Sequence, residues 1–245
     1  PLPITVLFTS DEEIGSPYTR AIIEAEAARA AAVLVPEPAR KDNGVVSGRY
    51  AVTRYEVSTF GTPSHAGLKL SEGRSAIRQM AANILEIEAM TGPDCTFSVG
   101  VMNAGQWVNC VSSHATAEVL SMAKKQQDLD QGIKRMMAFN NPDAEVATKV
   151  VQGLSRPVWT ANPAGMKLVD LASDLTRQLG QNFRHENSGG GSDGNFTGAM
   201  GIPTLDGIGV AGDRVHTLEE HIEIESLAMR GRMMAGLLMG IDENF

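Results

Sequence analysis

The chain has 245 residues, with 21 Lys and Arg against 29 Asp and Glu, a formal net charge of −8. Hydrophobic residues make up 42% of it and charged residues 20%, enough apolar material for a core. That balance excludes a disordered tail, a coiled coil and a basic nucleic-acid binder. No apolar run reaches the roughly 18 residues of a bilayer span, and no basic segment leads into an apolar signal core. Neither nucleic acid nor membrane is therefore expected as a partner. The two cysteines, Cys95 and Cys110, are too few for a disulfide framework. Two buried free thiols are expected in preference to a bridge across a hairpin.

The chain opens on Pro1–Leu2–Pro3 and runs directly into Ile4 to Phe8, an apolar stretch of the kind found in a buried parallel strand. A polar turn, Thr9 to Glu13, follows. Ser16 to Ala32, rich in Ala and Glu with Pro17 near its start, predicts a helix. Ala32 to Val35 is a second strand, halted at Pro36–Glu37–Pro38. Strand, helix, strand marks an α/β unit with polar residues at the carboxyl ends of its strands.

The middle of the chain reads differently. Arg49 to Thr59 alternates like a half-exposed strand, and Gly73 to Met90 is an amphipathic helix. Phe97 to Met102 and Gln106 to Val111 predict strands joined at Asn103–Ala104–Gly105. Ala115 to Met122 is a further strand and Asp128 to Phe139 a second helix. This pattern predicts a small α+β two-layer domain inserted in the first, with Pro157 and Pro163 bracketing its exit. A helix at Leu168 to Leu179, the loop Ser188 to Asp193, Asn195 to Met200, Ile202 to Val210 and a helix from Ile224 to Gly240 return to the α/β pattern.

Several positions carry usable chemistry. Glu12 and Glu13 leave a strand side by side, so their carboxylates point in different directions and can serve two roles, one on a cation and one on a proton. The plainer alternative is an acidic helix start, favoured by the helix dipole. Glu37, held between two prolines at a strand's end, suits a crevice site, although Pro-Glu-Pro is also an ordinary exposed turn. His216 follows a turn and offers an imidazole of the type that binds zinc, or a merely solvated one. His65 lies in a Gly/Pro-rich turn, Gly61 to Gly67, rather than on an apolar face. The loop Gly189–Gly190–Gly191–Ser192–Asp193 lacks the Lys-Ser/Thr ending of a P-loop and the spacing of a dinucleotide fingerprint. It reads instead as backbone able to approach an anionic or amide ligand. Neither Ser188 nor Ser192 lies in a nucleophile elbow.

Taken in order, Thr9 to Ser16 after a strand, Val35–Pro36–Glu37 after the next, Gly61 to Gly67, Asn109 in Val108 to Val111, the glycine loop and Val215–His216 form one set. This set resembles the aminoacylase and glutamate carboxypeptidase family of di-zinc metallopeptidases, closest to its glutamate carboxypeptidase-like members, over essentially the whole chain. The resemblance implies an α/β fold. A partial zinc-peptidase-like catalytic domain, mainly parallel sheet with helices on both faces, occupies residues 1–46 and 158–245. An inserted α+β two-layer dimerisation domain occupies residues 47–157.

By the same resemblance Glu12 is the general base and acid, Glu13 and His216 are ligands of one zinc, and Glu37 is a ligand of the other. His65 reaches across a homodimer to stabilise the oxyanion in the partner's site. Asn109, Arg156, Gly190 and Gly191 contact a small N-acyl amino acid or peptide substrate through its free carboxylate and amide. The implied activity is metal-dependent hydrolysis of an amide or peptide bond next to that carboxylate, with two zinc ions in the complete protein. The family's His-x-Asp motif and bridging Asp are expected N-terminal to Pro1, so this chain alone is expected to hold one zinc or none and to be inactive. Met122 stands where relatives usually carry Arg. The alternatives are a non-catalytic dimerising remnant and a small-anion binding module. Cytoplasm is the favoured compartment, with any export signal placed in the missing N-terminal part.

Overall fold

The structure, a computed structural model, describes residues 2–242. In chain order its helices are α1 (Arg20–Ala27), α2 (Ala76–Ala89), α3 (Gln126–Met137), α4 (Pro163–Gln178), α5 (Gly194–Ala199) and α6 (Ile224–Gly240). Its strands are β1 (Val33–Val35), β2 (Val45–Arg49), β3 (Ala51–Phe60), β4 (Cys95–Ala104), β5 (His114–Ala123), β6 (Ala147–Arg156), β7 (His185–Ser188), β8 (Thr204–Asp206), β9 (Gly212–Asp213) and β10 (His221–Ile222). The chain divides into two compact units, one built from the residues up to Tyr50 and from Arg156 onward, the other from Ala51–Ser155.

The first unit holds a four-stranded sheet in the order β1-β8-β2-β7. β1 pairs with β8 and β2 with β7 in parallel, while β2 meets β8 antiparallel at Val46 and Asp206. All five residues of β2 are buried, as a central strand covered on both faces requires. Successive side chains of β8 show the two faces. Leu205 packs with Val45, Leu168, Val169, Met233 and Leu237 in a core under α4 and α6. Thr204 and Asp206 turn the other way, where Thr204 bonds Thr197 of α5 and Asp206 bonds Ser192 at its approach. α4 is nucleated by Asn162, whose side chain accepts from the Gly165 N–H at 2.6 Å, with Pro163 in its first turn. At Gly198 in α5 a Cβ would lie 2.1 Å from Cδ1 of Trp159, so only glycine lets the indole lie against this helix.

The second unit is an antiparallel sheet in the order β4-β5-β3-β6 with a register shift between Val99 and Val101. Its period-2 pattern sends Tyr55, Val57, Ala115, Ala117 and Val119 to one face. There they pack with Met80 and Ile87 of α2 and Met136 of α3. Ser75 caps α2 by accepting from the Arg78 N–H.

Three expectations need correction. Ile4 to Phe8 forms no strand; no ladder partner exists for it among the described residues, and Val6 and Phe8 stand 68% and 92% exposed. An apolar, β-branched pattern specifies a strand only where another strand offers its hydrogen bonds. Gln106 to Val111 is a loop, not a strand. Gly105, in the left-handed region at φ +70°, turns the chain aside, and the backbone then bonds the Ser64–Ala66 turn instead of β4. Of the cysteines, Cys95 is half-buried and Cys110 exposed, both free. β6 and β7 have no counterpart in the sequence reading.

Candidate active site

Glu12 and Glu13 open a single helical turn, Glu12–Ile14, closed by Gly15 at φ +96° and by Ser16 at φ +56°. Asp11 fixes this turn from below. Its backbone carbonyl accepts from the Ser16 N–H, and its carboxylate accepts from the Tyr18 and Thr19 N–H groups and the Thr19 hydroxyl. Asp11 thus serves the open end of α1, and the turn is free to aim the two glutamates apart. The Glu12 side chain is 24% exposed and that of Glu13 is 80% exposed.

Arg156, at the end of β6, reaches Glu12 from the side. Its Nη2 donates to Glu12 Oε1 at 2.8 Å and to the Glu12 carbonyl at 2.9 Å, while Nη1 donates to Asp193 Oδ1 at 3.0 Å. Asp193 also accepts from the Ser16 and Thr9 hydroxyls. The Phe196 ring lies 5.0 Å from the Arg156 guanidinium carbon and 4.7 Å from that of Arg20, a cation–π platform for both. Burial pushes the Glu12 carboxyl up to about 7 from its ordinary 4.5; Arg156 opposes this, and Glu37, Asp193 and Glu13 add to it. A carboxyl poised near neutrality can both take and return a proton.

Glu37 follows β1. The Gly209 N–H donates to its carbonyl at 2.8 Å, and the two segments approach so closely that a Cβ at 209 would lie 2.4 Å from the Pro36 oxygen. Behind this contact Arg230 of α6, 3% exposed, donates to the Gly209, Gly207 and Asn43 carbonyls at 2.7, 2.5 and 3.0 Å. Burial raises the Glu37 carboxyl, with Asp206 adding and Arg49 opposing, then Glu13 and Asp193 adding. His216 sits at φ +64°, its N–H held by Glu220 and its Nδ1 3.9 Å from Glu13 Oε2.

Gly190 and Gly191 belong to the loop between β7 and α5. The Gly190 N–H donates to Ser188 Oγ and the Ser192 N–H to Asn195 Oδ1; Asn195 in turn donates to the Tyr50 and Pro157 carbonyls.

Glu12, Glu13, Glu37, Asp193 and Asp206 therefore share one field, felt as mutual upward pressure on Glu12 and Glu37. Arg156 balances Glu12 and Asp193, and Arg49 balances Asp206, while the Glu13 and Glu37 carboxylates and the imidazole beside Glu13 are donor types that suit a divalent cation. Glu13, His216 and Glu37 have the donor atoms for it. Among the described residues no group of three His, Cys, Asp or Glu is arranged to hold a metal by itself.

His65 and Asn109 lie in the second unit, and the structure joins them to each other. The Ala66 N–H donates to the Asn109 carbonyl, and His65 bridges to Cys110. His65 Nδ1 accepts from the Gly67 and Leu68 N–H groups at 3.1 and 3.2 Å. In the neutral ring this leaves the proton on Nε2, an exposed donor.

Sequence reasoning missed Ser16, Arg49, Asp193 as an ion-pair partner, and Asp206. The signal for two of them was present. Arg49 closely follows Val45–Val46, and Asp206 sits between Leu205 and Ile208 in a segment with no other charge, Ile202 to Val210. A charge in such a segment is buried and must be paired.

The family model described as peptidase family M20/M25/M40 matches residues 1–240, and the chain belongs to this family. Carboxypeptidase G2 of Pseudomonas sp. (strain RS-16) is 30% identical over 97% of this chain and 59% of its own length. Succinyl-diaminopimelate desuccinylase of Halorhodospira halophila is 26% identical over 91% of this chain and 62% of its own. A tripeptidase structure from Staphylococcus aureus superposes with a TM-score of 0.81 at 23% identity, over 94% of this chain and 61% of that one. The chain thus spans about three fifths of the length of the relatives it matches.

Proposed function

We propose that this chain contributes the proton-handling carboxylate, part of the metal ligands and the substrate-facing loop of a metal-dependent amidohydrolase or carboxypeptidase. The substrate class is a small N-acyl amino acid or peptide whose scissile amide lies next to a free carboxylate. The observation that carries this reading is the geometry at Glu12, a half-buried carboxyl fixed by Arg156 and adjacent to Glu13, whose carboxylate lies 3.9 Å from His216 Nδ1, with Glu37 in the same field. The relatives' names, a carboxypeptidase and a desuccinylase, support the reaction class.

Glu13 and His216 would hold one zinc and Glu37 would help to hold a second, the remaining ligands coming from outside the described residues. Such cations, when bound, polarise the scissile carbonyl and acidify a water molecule. At its carboxylate Glu12 would take a proton from the attacking water and return it to the leaving nitrogen. Arg156 keeps Glu12 directed by its bond to Oε1, and Gly190 and Gly191 meet the substrate's carboxylate and amide. His65 Nε2–H supplies a donor to the oxyanion of a partner subunit, in a homodimer formed through residues 47–157.

Zinc titration and acyl-glutamate hydrolysis test this, on the 245-residue chain and on the chain joined to the rest of its coding sequence. The joined protein is expected to bind two zincs and turn over, and the 245 residues alone to bind at most one and stay inert. Two zincs with turnover in the 245 residues would overturn the shared-ligand part, and an inert, fully metallated joined protein would overturn the hydrolase. Glu12→Gln should keep metal and lose turnover. A His65→Ala subunit mixed with a Glu12→Gln subunit should regain one working site; absence of complementation removes the cross-subunit role.

A further inference from the structure

The strand ends β2 and β8 finish on opposite charges. Arg49 is 3% exposed and Asp206 fully buried, with Arg49 Nε 2.6 Å from Asp206 Oδ2. A buried pair of this kind returns little net stability, because desolvating both ions offsets most of their attraction. Its geometry has another use. The second arm of the guanidinium, Nη1, donates to the Gly190 carbonyl at 2.7 Å. Ser192 Oγ donates to the same Asp206 oxygen at 2.5 Å, and the Gly207 N–H donates to the other. The glycine loop is thus tied to the ends of β2 and β8 at two points, through Gly190 and through Ser192.

The tie at Gly190 fixes a direction. The Gly190 carbonyl and the Gly191 N–H belong to one trans peptide plane and point opposite ways. With the carbonyl drawn toward the buried pair, the Gly191 N–H faces away from it, and among the described residues it has no partner. We propose that Arg49 and Asp206 are positioning residues: they lock the Gly190–Gly191 peptide so that the Gly191 N–H is presented as a donor to a carbonyl, carboxylate or oxyanion of the substrate. This rests on the hydrolase reading above. Lysine cannot replace Arg49, because its single ammonium cannot hold the carboxylate and the Gly190 carbonyl along two diverging arms.

Arg49→Lys preserves the charge pair and removes the bridge, and Ser192→Ala preserves the ion pair and cuts the second tie. In the metal-loaded joined protein, hydrogen exchange of the 189–193 amides is expected to quicken about tenfold in each variant, the loss of one charge-assisted hydrogen bond. Exchange in β2, β8 and α4 should stay unchanged. For acyl-glutamate, kcat/KM of Arg49→Lys should fall about tenfold with its pH profile unmoved, since no charge is lost. Uniformly faster exchange would mark a merely structural pair and overturn the proposal, as would local loosening without kinetic loss. If the wild-type joined protein hydrolyses nothing, the hydrolase reading falls, and the substrate role of the Gly191 N–H falls with it. Exchange then still decides whether the pair anchors the loop.

Discussion

Glu12→Gln has a consequence for stability that is separate from catalysis. The Glu12 carboxyl is raised to about 7 from 4.5, chiefly by burial, so the folded protein holds this proton more tightly than the unfolded chain. The resulting stability is fully present below pH 4.5 and is lost as pH rises through 7. At about 1.4 kcal/mol per pH unit, and allowing for a side chain that is 24% exposed, the loss is about 2–3 kcal/mol. Glutamine carries no titrating proton. The wild-type chain in chelator should therefore lose stability between pH 4.5 and pH 8 relative to Glu12→Gln, read as diverging urea midpoints. The two proteins should differ by about 2–3 kcal/mol more at pH 8 than at pH 4.5, the variant gaining. Parallel pH dependences would refute the reasoning, and would mean that Arg156 compensates the buried charge in full.

Gly198→Ala should lower stability by about 2–3 kcal/mol in thermal or urea unfolding, since Trp159, 3% exposed, has no room to retreat from a new Cβ. Arg230→Met strands the buried Gly207 carbonyl and the half-buried Gly209 and Asn43 carbonyls and should cost about 3–5 kcal/mol, with Arg230→Lys intermediate. Burial pulls the Arg230 guanidinium down to about 10, still charged at neutral pH, so this loss should not vary between pH 6 and pH 8. A disulfide-exchange reagent should label Cys110 quickly and Cys95 slowly, because Cys95 is half-buried and burial raises its thiol. Equal rates would contradict the packing of β4 under α3.

Much of this was legible in the sequence because its signals are local. The apolar period in Ala76–Ala89 and Ile224–Gly240 and the alternation along Ala51–Phe60 each specify an element without help from distant residues. Glu12, Glu13 and Glu37 were legible by residue type and by place at strand ends. What escaped depends on partners far along the chain. β7 reads His-Glu-Asn-Ser, polar and without alternation, and becomes a strand only because β2 offers its hydrogen bonds. Arg156 was read for a substrate carboxylate; that Glu12 and Asp193 already engage it is visible only when residues 144 and 37 positions apart meet. Ile4 to Phe8 failed in the opposite sense, with the right composition and no neighbouring strand.

That exposed segment bears on how the 245-residue chain should behave in solution. Ile4, Val6 and Phe8 stand 57%, 68% and 92% exposed on backbone with no ladder partner among the described residues, a combination that recruits strands from other molecules. Association of this chain in solution should climb with concentration and fall in a Val6→Lys, Phe8→Asp double variant. A sedimentation coefficient measured on the unaltered chain would therefore mix any adhesion at this segment with any pairing through residues 47–157. The variant is the species on which subunit stoichiometry should be counted.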